Sequence, residues 1–531
     1  MAPQQSNILT RLTFLLLLAY GLFLHLYEVN RPIDASSYHS WREADLGMIA
    51  RNFWRGDMNI LHPQIDWRKD GPGYVECEFP LLAWLMALAY RLFGYHEEAG
   101  RVIAIAISLA SLATFHTLAR RTFSLAGKGG PRPPCPELVE WADADSSTPA
   151  RFATLLFWFS PILVRFSTSI QPDPGMLLCA MLAVLFLLRW RESGRLRDAL
   201  AAAAAAALAI LLKAPAASLG LLFAAVCFEH LGRRTLRTPA VWIMGTLAIL
   251  PPLAWYLHVH HFWTLYGNSL GLTNESHWIG MDLLRAPRTL AHMIVSMLWI
   301  ELRFVYVAAG ALLATLGLFR IGRTTRYLVY WLASAMLFYL LALRTSADEW
   351  AIYYHALTIP PACLLMALGL TGGRGGRLAA LVPPFLLRVL TAFTPLLAGF
   401  TLATFIFFAT HHISFTPPHT GESPDLTPKF AAAKVFKSLI PADALVVTLG
   451  DNHLHDETGR PMAHDDSPFL FWLDRKGFCL AMEDHSVAKL EELRARGARY
   501  AAFRADFPTA DSITQAFTPI ASSGPWRLVR L

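Results

Sequence analysis

Long runs of apolar residues separated by short polar segments dominate the chain up to about position 410. The runs fall at 12–26, 98–118, 152–168, 175–190, 198–213, 216–230, 240–260, 303–319, 327–343, 351–370 and 385–410. Because a helix of about 20 apolar residues crosses the hydrocarbon core of a bilayer, each run predicts a membrane-spanning helix. The pattern therefore predicts an all-α polytopic membrane domain with about eleven spans.

Two stretches depart from this pattern. Residues 79–93, FPLLAWLMALAYRLF, are apolar but short for a span, and they predict a helix on or half inside the outer face. Residues 414–428 are polar and Pro-rich, which predicts a linker, and residues 429–531 alternate strand-like runs with amphipathic helices. We therefore expect a transmembrane domain over 1–413, with an outer loop at 27–97, followed by a small extracytoplasmic α/β domain.

The composition agrees with a membrane protein and excludes a mainly soluble one. Of the 531 residues, 54% are hydrophobic and only 16% are charged, against about 25% charged residues in soluble domains. The six cysteines are scattered without CxxC spacing, so they indicate neither a disulfide framework nor a zinc site.

The basic residues predict the orientation in the membrane. Clusters at 120–132, 189–197, 233–237, 320–326 and 374–377 all fall on one side of the predicted topology, which is typical of the cytoplasmic side. The first run follows Arg11 and has no cleavage signature, so it is a retained span. The N-terminus is then cytoplasmic, the C-terminal domain lies outside, and the protein is expected in a bacterial inner membrane. The net charge of +7 is no argument for nucleic-acid binding.

The outer loop contains the densest group of charged and aromatic residues. Within it, WREADLGMIARNFW at 41–54 predicts an amphipathic helix with Leu46, Ile49 and Phe53 on one face. Such a helix would lie along the membrane and hold Asp45 near the level of the lipid phosphates. An ordinary surface or capping role for this acid is the alternative.

Four segments carry a resemblance to a known family. HSWREADLGMIARNF, GPGYVECEFPLLAWLMALAYRLFG, SPILVRFSTSIQPDPGML and EWAIYYHALTIPP occur in the family's order within about the first 370 residues. Together they resemble the bacterial, protein O-mannosyltransferase-like branch of the family 39, C-type membrane glycosyltransferases. They are more distantly similar to the lipid A aminoarabinose and polyprenyl-phosphate galacturonate transferases.

The resemblance implies transfer of a sugar from a polyprenyl-phosphate carrier to a glycan, lipid or protein acceptor outside the cytoplasm. A hydroxyl acceptor needs a general base, and in this family the base is an acid of the first outer loop. The best match is Asp45, with Glu43 and Asp34 as alternatives. One base and no separate nucleophile imply inversion at the anomeric carbon.

Other residues are expected to bind substrate. The leaving phosphate requires cations, for which the candidates are Arg42, Lys213 and Arg344, although Lys213 and Arg344 could instead extend to the membrane interface. The acids among the remaining candidates are expected to contact sugar hydroxyls or a metal, or to occupy the position of the family's second acid. The other candidates are expected to contact sugar or phosphate. These residues are His39, Glu76, Glu78, Asp173, Tyr353, Tyr354 and His355. A plain turn at Asp173 and interfacial anchoring by the tyrosines are the structural alternatives.

Cofactors and rival functions are less constrained. A divalent metal is possible but not required, and His453, His455 and His464 are irregularly spaced for metal ligands. No phosphate-binding Gly-rich loop is present, which disfavours a nucleotide-sugar donor. A transporter or flippase of a lipid-linked glycan is the main rival, and a non-catalytic assembly or sensing protein is another. Transporters, however, usually show repeated halves and charges at the midplane.

Overall fold

The protein is described here from a computed structural model. The described residues are 3–27, 29–30, 33, 40–67, 69–126, 147–272, 277–371, 384–411, 428–450, 453–455, 461–464 and 467–531. The predicted site residues Asp34 and His39, and residues 414–427 of the predicted linker, lie outside them.

The described residues before position 412 are mostly helical. Its helices are α1 (Pro3–Leu26), α2 (Ser40–Arg55), α3 (Leu81–Phe93), α4 (Ala99–Ala126), α5 (Ser147–Trp158), α6 (Pro161–Phe166), α7 (Asp173–Ser193), α8 (Leu196–Leu212), α9 (Leu219–Leu231), α10 (Pro239–Tyr266), α11 (Met281–Leu284), α12 (Pro287–Ile300), α13 (Ala309–Phe319), α14 (Tyr327–Leu341), α15 (Leu343–Ser346), α16 (Ile359–Leu368) and α17 (Pro384–His411). Short 3-10 segments at Ala214–Ser218, Gly232–Arg237 and Glu349–Thr358 extend some of them.

Seven helices in the described residues are long and apolar enough to cross a membrane, and they coincide with seven of the predicted spans. An eighth forms if α12 and α13 count as one span, bent by 95°. The run at 152–168 is instead divided into α5 and α6, because Pro161 begins a new helix. Helices α8 and α14 are too short to be counted as membrane spans by length alone. The number of spans counted in this way is therefore smaller than the eleven predicted.

Burial separates central from peripheral spans. In the most apolar part of Ala351–Leu368, 89% of the residues are buried inside the protein, whereas in the most apolar part of α10 only 17% are buried. Large apolar side chains such as Leu257 and Phe400 are exposed. In a membrane protein such side chains face lipid rather than water. The structure therefore has a packed helical centre inside a lipid-facing layer.

The basic segments meet at one end of the helical domain. Arg121 at the end of α4 lies 2.5 Å from Glu192 at the end of α7, and Arg191 donates to the carbonyl of Thr324. The other end of α7 is Asp173, which a helix of 21 residues places about 30 Å away. Charged residues of the outer loop gather around Asp173, so the two groups occupy opposite ends of the domain.

Residues from 428 onward form an α/β unit. Its helices are α18 (Pro428–Leu439), α19 (Ser467–Leu473), α20 (Val487–Ala495) and α21 (Ala510–Ala516), and its strands are β1 (Leu445–Leu449), β2 (His453–His455), β3 (Pro461–His464), β4 (Lys476–Leu480), β5 (Ala498–Arg504), β6 (Thr518–Ser523) and β7 (Trp526–Arg530). The main sheet has the order β4-β1-β5-β7-β6, with β1 parallel to β4 and β5, and β2 pairs with β3. The predicted small α/β domain is confirmed.

This unit packs directly on the outer loop. Phe471 of α19 lies against Gly47 of α2, and Arg51 of α2 donates to the Phe471 carbonyl at 2.9 Å. Arg51 also forms a buried ion pair with Asp66 at 2.5 Å. Arg55 forms two hydrogen bonds to Asp474, at 2.7 and 2.9 Å. Helix α2 is thus held between the membrane helices and the C-terminal unit.

Candidate active site

Helix α2 carries three of the candidate residues in its first two turns. Arg42 and Glu43 are rotated by about 100° from each other, whereas Asp45, three residues after Arg42, lies on the same side of the helix as Arg42 and within its electrostatic field. All three are buried. Each has a different set of partners, and these partners determine which chemistry each side chain can support.

Glu43 is tied to the membrane helices. Both of its oxygens accept from Arg101 of α4, at 3.3 and 3.0 Å, and both side chains are fully buried. Oε1 also accepts from the hydroxyl of Ser169 and the backbone N–H of Ile170. A carboxylate with this many donors joins α2 to α4 and to the segment before α7, and it has little capacity left to accept a substrate proton.

Asp45 faces away from the membrane helices. Its Oδ1 accepts from the indole of Trp67 at 2.8 Å, and the hydroxyl of Ser467 in the C-terminal unit is close by. Its Oδ2 has no hydrogen-bond partner among the described residues. Burial raises the pKa of the Asp45 carboxyl to about 7. Asp45 therefore lies at the contact between the outer loop and the C-terminal unit, without access to solvent in this conformation.

Arg42 pairs with Glu78. Its Nη2 donates to Glu78 Oε2, and its Nη1 donates to the carbonyl of Leu270 at 2.9 Å. Glu78 lies just before α3, in the segment where the sequence predicts sugar or metal contacts. Both side chains of this pair are mostly buried, but a small part of each remains accessible.

A second ion pair faces the first. Lys213 Nζ, just after α8, lies 2.7 Å from both carboxylate oxygens of Asp173 at the start of α7. The same ammonium lies 4.1 Å from the ring centroid of Tyr353 and 4.7 Å from that of Tyr354, which are cation–π distances. Glu78 contributes to the electrostatic field at both Lys213 and Asp173. The structure thus brings six of the predicted residues into one charged cluster.

An apolar cavity ends at this cluster. It is a partly open cavity of about 30 Å³ between α1, α4, the α5–α6 break and the start of α7. Its lining is mostly apolar, with Asp173 and Tyr353 among the lining residues. The apolar lining matches the hydrocarbon of a lipid, and the ion pairs beside it match a charged headgroup.

The remaining predicted residues lie elsewhere. Glu76 accepts from Ser269 at 2.5 Å and contacts His260 at 3.0 Å, and it joins the outer loop to the segment after α10. Arg344 pairs with Asp282 of α11.

His355 is buried in the membrane domain. Its Nδ1 lies 2.7 Å from Glu301 and its Nε2 lies 2.9 Å from the carbonyl of Ser346. Thr358 donates to the same glutamate at 2.8 Å. This network joins the bend between α12 and α13 to the 3-10 segment, so His355 supports Tyr353 and Tyr354 rather than extending beside them.

Arg101 and Trp67, the partners of Glu43 and Asp45, were not among the predicted site residues. Arg101 had a usable signal, since an arginine within an apolar run needs a buried partner. Trp67 had none, because only the folded loop brings it to α2. For metals, the described residues contain no group of three or more His, Cys, Asp or Glu side chains able to hold an ion. The side chains of His453, His455 and His464 are outside what the structure describes.

Comparison with known proteins relates this arrangement to solved structures. ArnT from Cupriavidus metallidurans in the apo state superposes with a TM-score of 0.62 at 13% identity, covering 97% of each chain. ArnT bound to undecaprenyl phosphate gives 0.56 at 14% identity, covering 100% of this chain and 98% of that one. The chain has a GT-C glycosyltransferase fold. The arabinofuranosyltransferase AftD from Mycobacteria shares this GT-C fold, with a TM-score of 0.54, 13% identity and coverage of 98% of this chain and 40% of that one.

Sequence comparison is consistent with the GT-C fold over a shorter region. Residues 145–257 match the family described as dolichyl-phosphate-mannose-protein mannosyltransferase, and they include Asp173 and Lys213. No curated protein sequence matches the chain. The predicted resemblance to O-mannosyltransferase-like enzymes and the predicted all-α membrane domain with a C-terminal α/β domain are confirmed.

Proposed function

We propose that this protein is a glycosyltransferase that moves a sugar from a polyprenyl-phosphate carrier to an acceptor outside the cytoplasm. The observation that supports the proposal most directly is the apolar cavity that ends at the Lys213–Asp173 pair. A polyprenyl chain needs an apolar channel, and its phosphate needs cations at the end of that channel. ArnT, a structure with the same fold, binds undecaprenyl phosphate.

The reaction is a single displacement with inversion. The acceptor hydroxyl attacks the anomeric carbon while the bond from that carbon to the phosphate oxygen breaks. Lys213 and Arg42 stabilise the negative charge that grows on the departing phosphate, and a carboxylate of the outer loop accepts the hydroxyl proton. The products are the glycosylated acceptor and polyprenyl monophosphate.

The proposed location is a bacterial inner membrane, with the N-terminus in the cytoplasm and the charged cluster and α/β unit outside. The gathering of the arginine-rich segments at the end opposite Asp173 supports this orientation. Reporter fusions at the two termini test it, since an activity that needs the cytosol is expected only at the N-terminus. The acceptor is a glycan, lipid or protein of the cell envelope.

The transfer assay uses protein in lipid nanodiscs with radiolabelled polyprenyl-phosphate sugars and cell-envelope acceptors. Sugar transfer with matching release of polyprenyl monophosphate is the expected result. Lys213→Met should weaken donor binding about tenfold or more, which corresponds to about 1.4 kcal/mol. The double variant Lys213→Met/Asp173→Asn is the folding control, because it removes both charges of the buried pair. Movement of an intact lipid-linked sugar without its cleavage would identify a flippase instead.

A further inference from the structure

The charged cluster contains two carboxylates and two cations, and each cation already has a carboxylate partner. Arg42 holds Glu78, and Lys213 holds Asp173. A phosphate that enters the cluster must therefore compete with a carboxylate for at least one cation. The carboxylate that is displaced becomes a free base beside the phosphate, which is where a general base is needed.

We propose that Glu78 is the general base of the transfer reaction and that the donor phosphate releases it from Arg42. This inference rests on the proposed function. In the reaction the acceptor hydroxyl forms the new bond to the anomeric carbon, and its proton passes to Glu78. The electron pair of the broken carbon–oxygen bond leaves with the phosphate, which Arg42 and Lys213 hold. Glu78 then returns the proton to phosphate or water.

The hydrogen bonds of the other acids argue against them as the base. Glu43 accepts from a buried arginine, a hydroxyl and a backbone N–H. Asp45 is fully buried and bonded to Trp67, on the side of α2 that faces the C-terminal unit. Each of these acids would have to leave its partners, and Asp45 would also have to leave its place under α19, before it met a substrate.

Asp173 is also poorly placed to act as the base. Both of its oxygens lie 2.7 Å from Lys213 Nζ, and it belongs to the first turn of α7. Its backbone is therefore held by the helix. Asp173 is better placed to orient the lysine beside the lipid cavity, which makes it a positioning residue for the phosphate contact.

Glu78 combines three features that none of these acids has together. Among the described residues only its Oε2 is engaged, as only Oδ1 is in Asp45, whereas Glu43 and Asp173 use both oxygens. The residue lies at a bend in the segment before α3 rather than inside a helix, so its side chain can turn without moving a helix. It also remains about one-tenth exposed at the cluster, so a hydroxyl can approach it.

Glu78→Gln tests the proposal because it keeps the shape and removes the base. We expect its kcat to fall by about 100- to 10,000-fold, the usual contribution of general-base catalysis, with donor affinity retained. Azide provides the diagnostic readout, since this anion attacks the anomeric carbon without losing a proton. Glu78→Gln should form glycosyl azide at the wild-type rate, which a merely structural defect would prevent.

Glu349→Gln is the matched control. This exposed acid begins the 3-10 segment that carries Tyr353 and Tyr354, and its one ion pair is a weak surface contact to Arg303 at 3.4 Å. Neutralising it should leave kcat within about twofold, as expected for a surface pair.

The outcomes separate this inference from the proposed function. If the wild type transfers no sugar from any polyprenyl-phosphate donor, the proposed function fails. If the wild type is active and Glu78→Gln keeps kcat within tenfold, Glu78 is not the base. The same conclusion follows if Glu78→Gln loses both hydroxyl transfer and azide transfer, since its defect is then in binding or folding. If Asp45→Asn loses hydroxyl transfer but keeps azide transfer, and Glu78→Gln does not show this pattern, the base is Asp45.

Discussion

The buried carboxyl of Asp45 makes the contact between α2 and α19 sensitive to pH. Its pKa rises from 3.8 to about 7 because burial disfavours the charged form. This shift corresponds to about 4 kcal/mol of preference for the neutral acid in the closed structure. The ionised form of Asp45 therefore weakens the contact between α2 and α19. If α19 separated from α2, water would solvate the carboxylate and remove the cost of burying its charge.

The sign follows from the direction of the shift. Since the pKa is raised in the closed structure, the closed structure binds more protons than the open one between pH 4 and pH 7. The stabilisation is complete below about pH 4 and is lost as the pH rises through about 7. Between pH 5 and pH 8 we expect the free energy of opening to fall by about 2–3 kcal/mol, or about 30- to 150-fold in the opening equilibrium.

Hydrogen exchange of the α19 amides in nanodiscs measures this opening, after correction for the intrinsic effect of pH on exchange. Asp45→Asn should abolish the pH dependence and make α19 more protected than in the wild type at pH 8. Asp511→Asn, which removes an exposed acid of α21, should leave the dependence unchanged. Wild-type protection that stays constant from pH 5 to pH 8 would refute the reasoning.

Three further changes test the packing around the site. Glu43→Gln leaves Arg101 buried without its carboxylate and should reduce the free energy of unfolding by about 3–5 kcal/mol. The loss should be seen as a loss of monodisperse protein in size-exclusion chromatography. Adding Arg101→Met should recover much of the lost stability. Gly47→Ala places a Cβ 2.8 Å from a ring carbon of Phe471 and should cost about 1–3 kcal/mol, read as faster proteolysis of the C-terminal unit. The ring of Tyr353 lies 4.1 Å from a lysine ammonium, so Tyr353→Ala should raise the donor KM several-fold while Tyr353→Phe should not; equal effects would contradict the cation–π contact.

Several features were predictable because they depend on local sequence. An apolar run long enough to cross a bilayer forms a helix wherever it lies, since every backbone polar group must be satisfied within the segment. The runs at 98–118 and 240–260 accordingly became α4 and α10. Among the strand-like runs predicted within 429–531, Leu445–Leu449 became β1 for a similar reason, since its pattern matches a buried strand.

The assignment of roles to neighbouring acids was not predictable in the same way. Residues 42 to 45 are adjacent in sequence, yet Arg42 meets Glu78, Glu43 meets Arg101 and Asp45 meets Trp67. Sequence periodicity gives the angle between these side chains but not what each will face. Those partners come from α4, from the segment before α3 and from the rest of the loop.

The amino-acid sequence alone thus determined the membrane domain, the α/β unit and the group of residues from which a site is built. Tertiary structure decided which of them share the charged cluster, that Glu76, Arg344 and His355 pair with Ser269, Asp282 and Glu301 respectively, and that Asp45 is covered by α19. The physical reason is the range of the interactions. Burial of apolar runs and backbone hydrogen bonding act over a few consecutive residues, whereas ion pairs and desolvation depend on groups that folding brings together from distant parts of the chain.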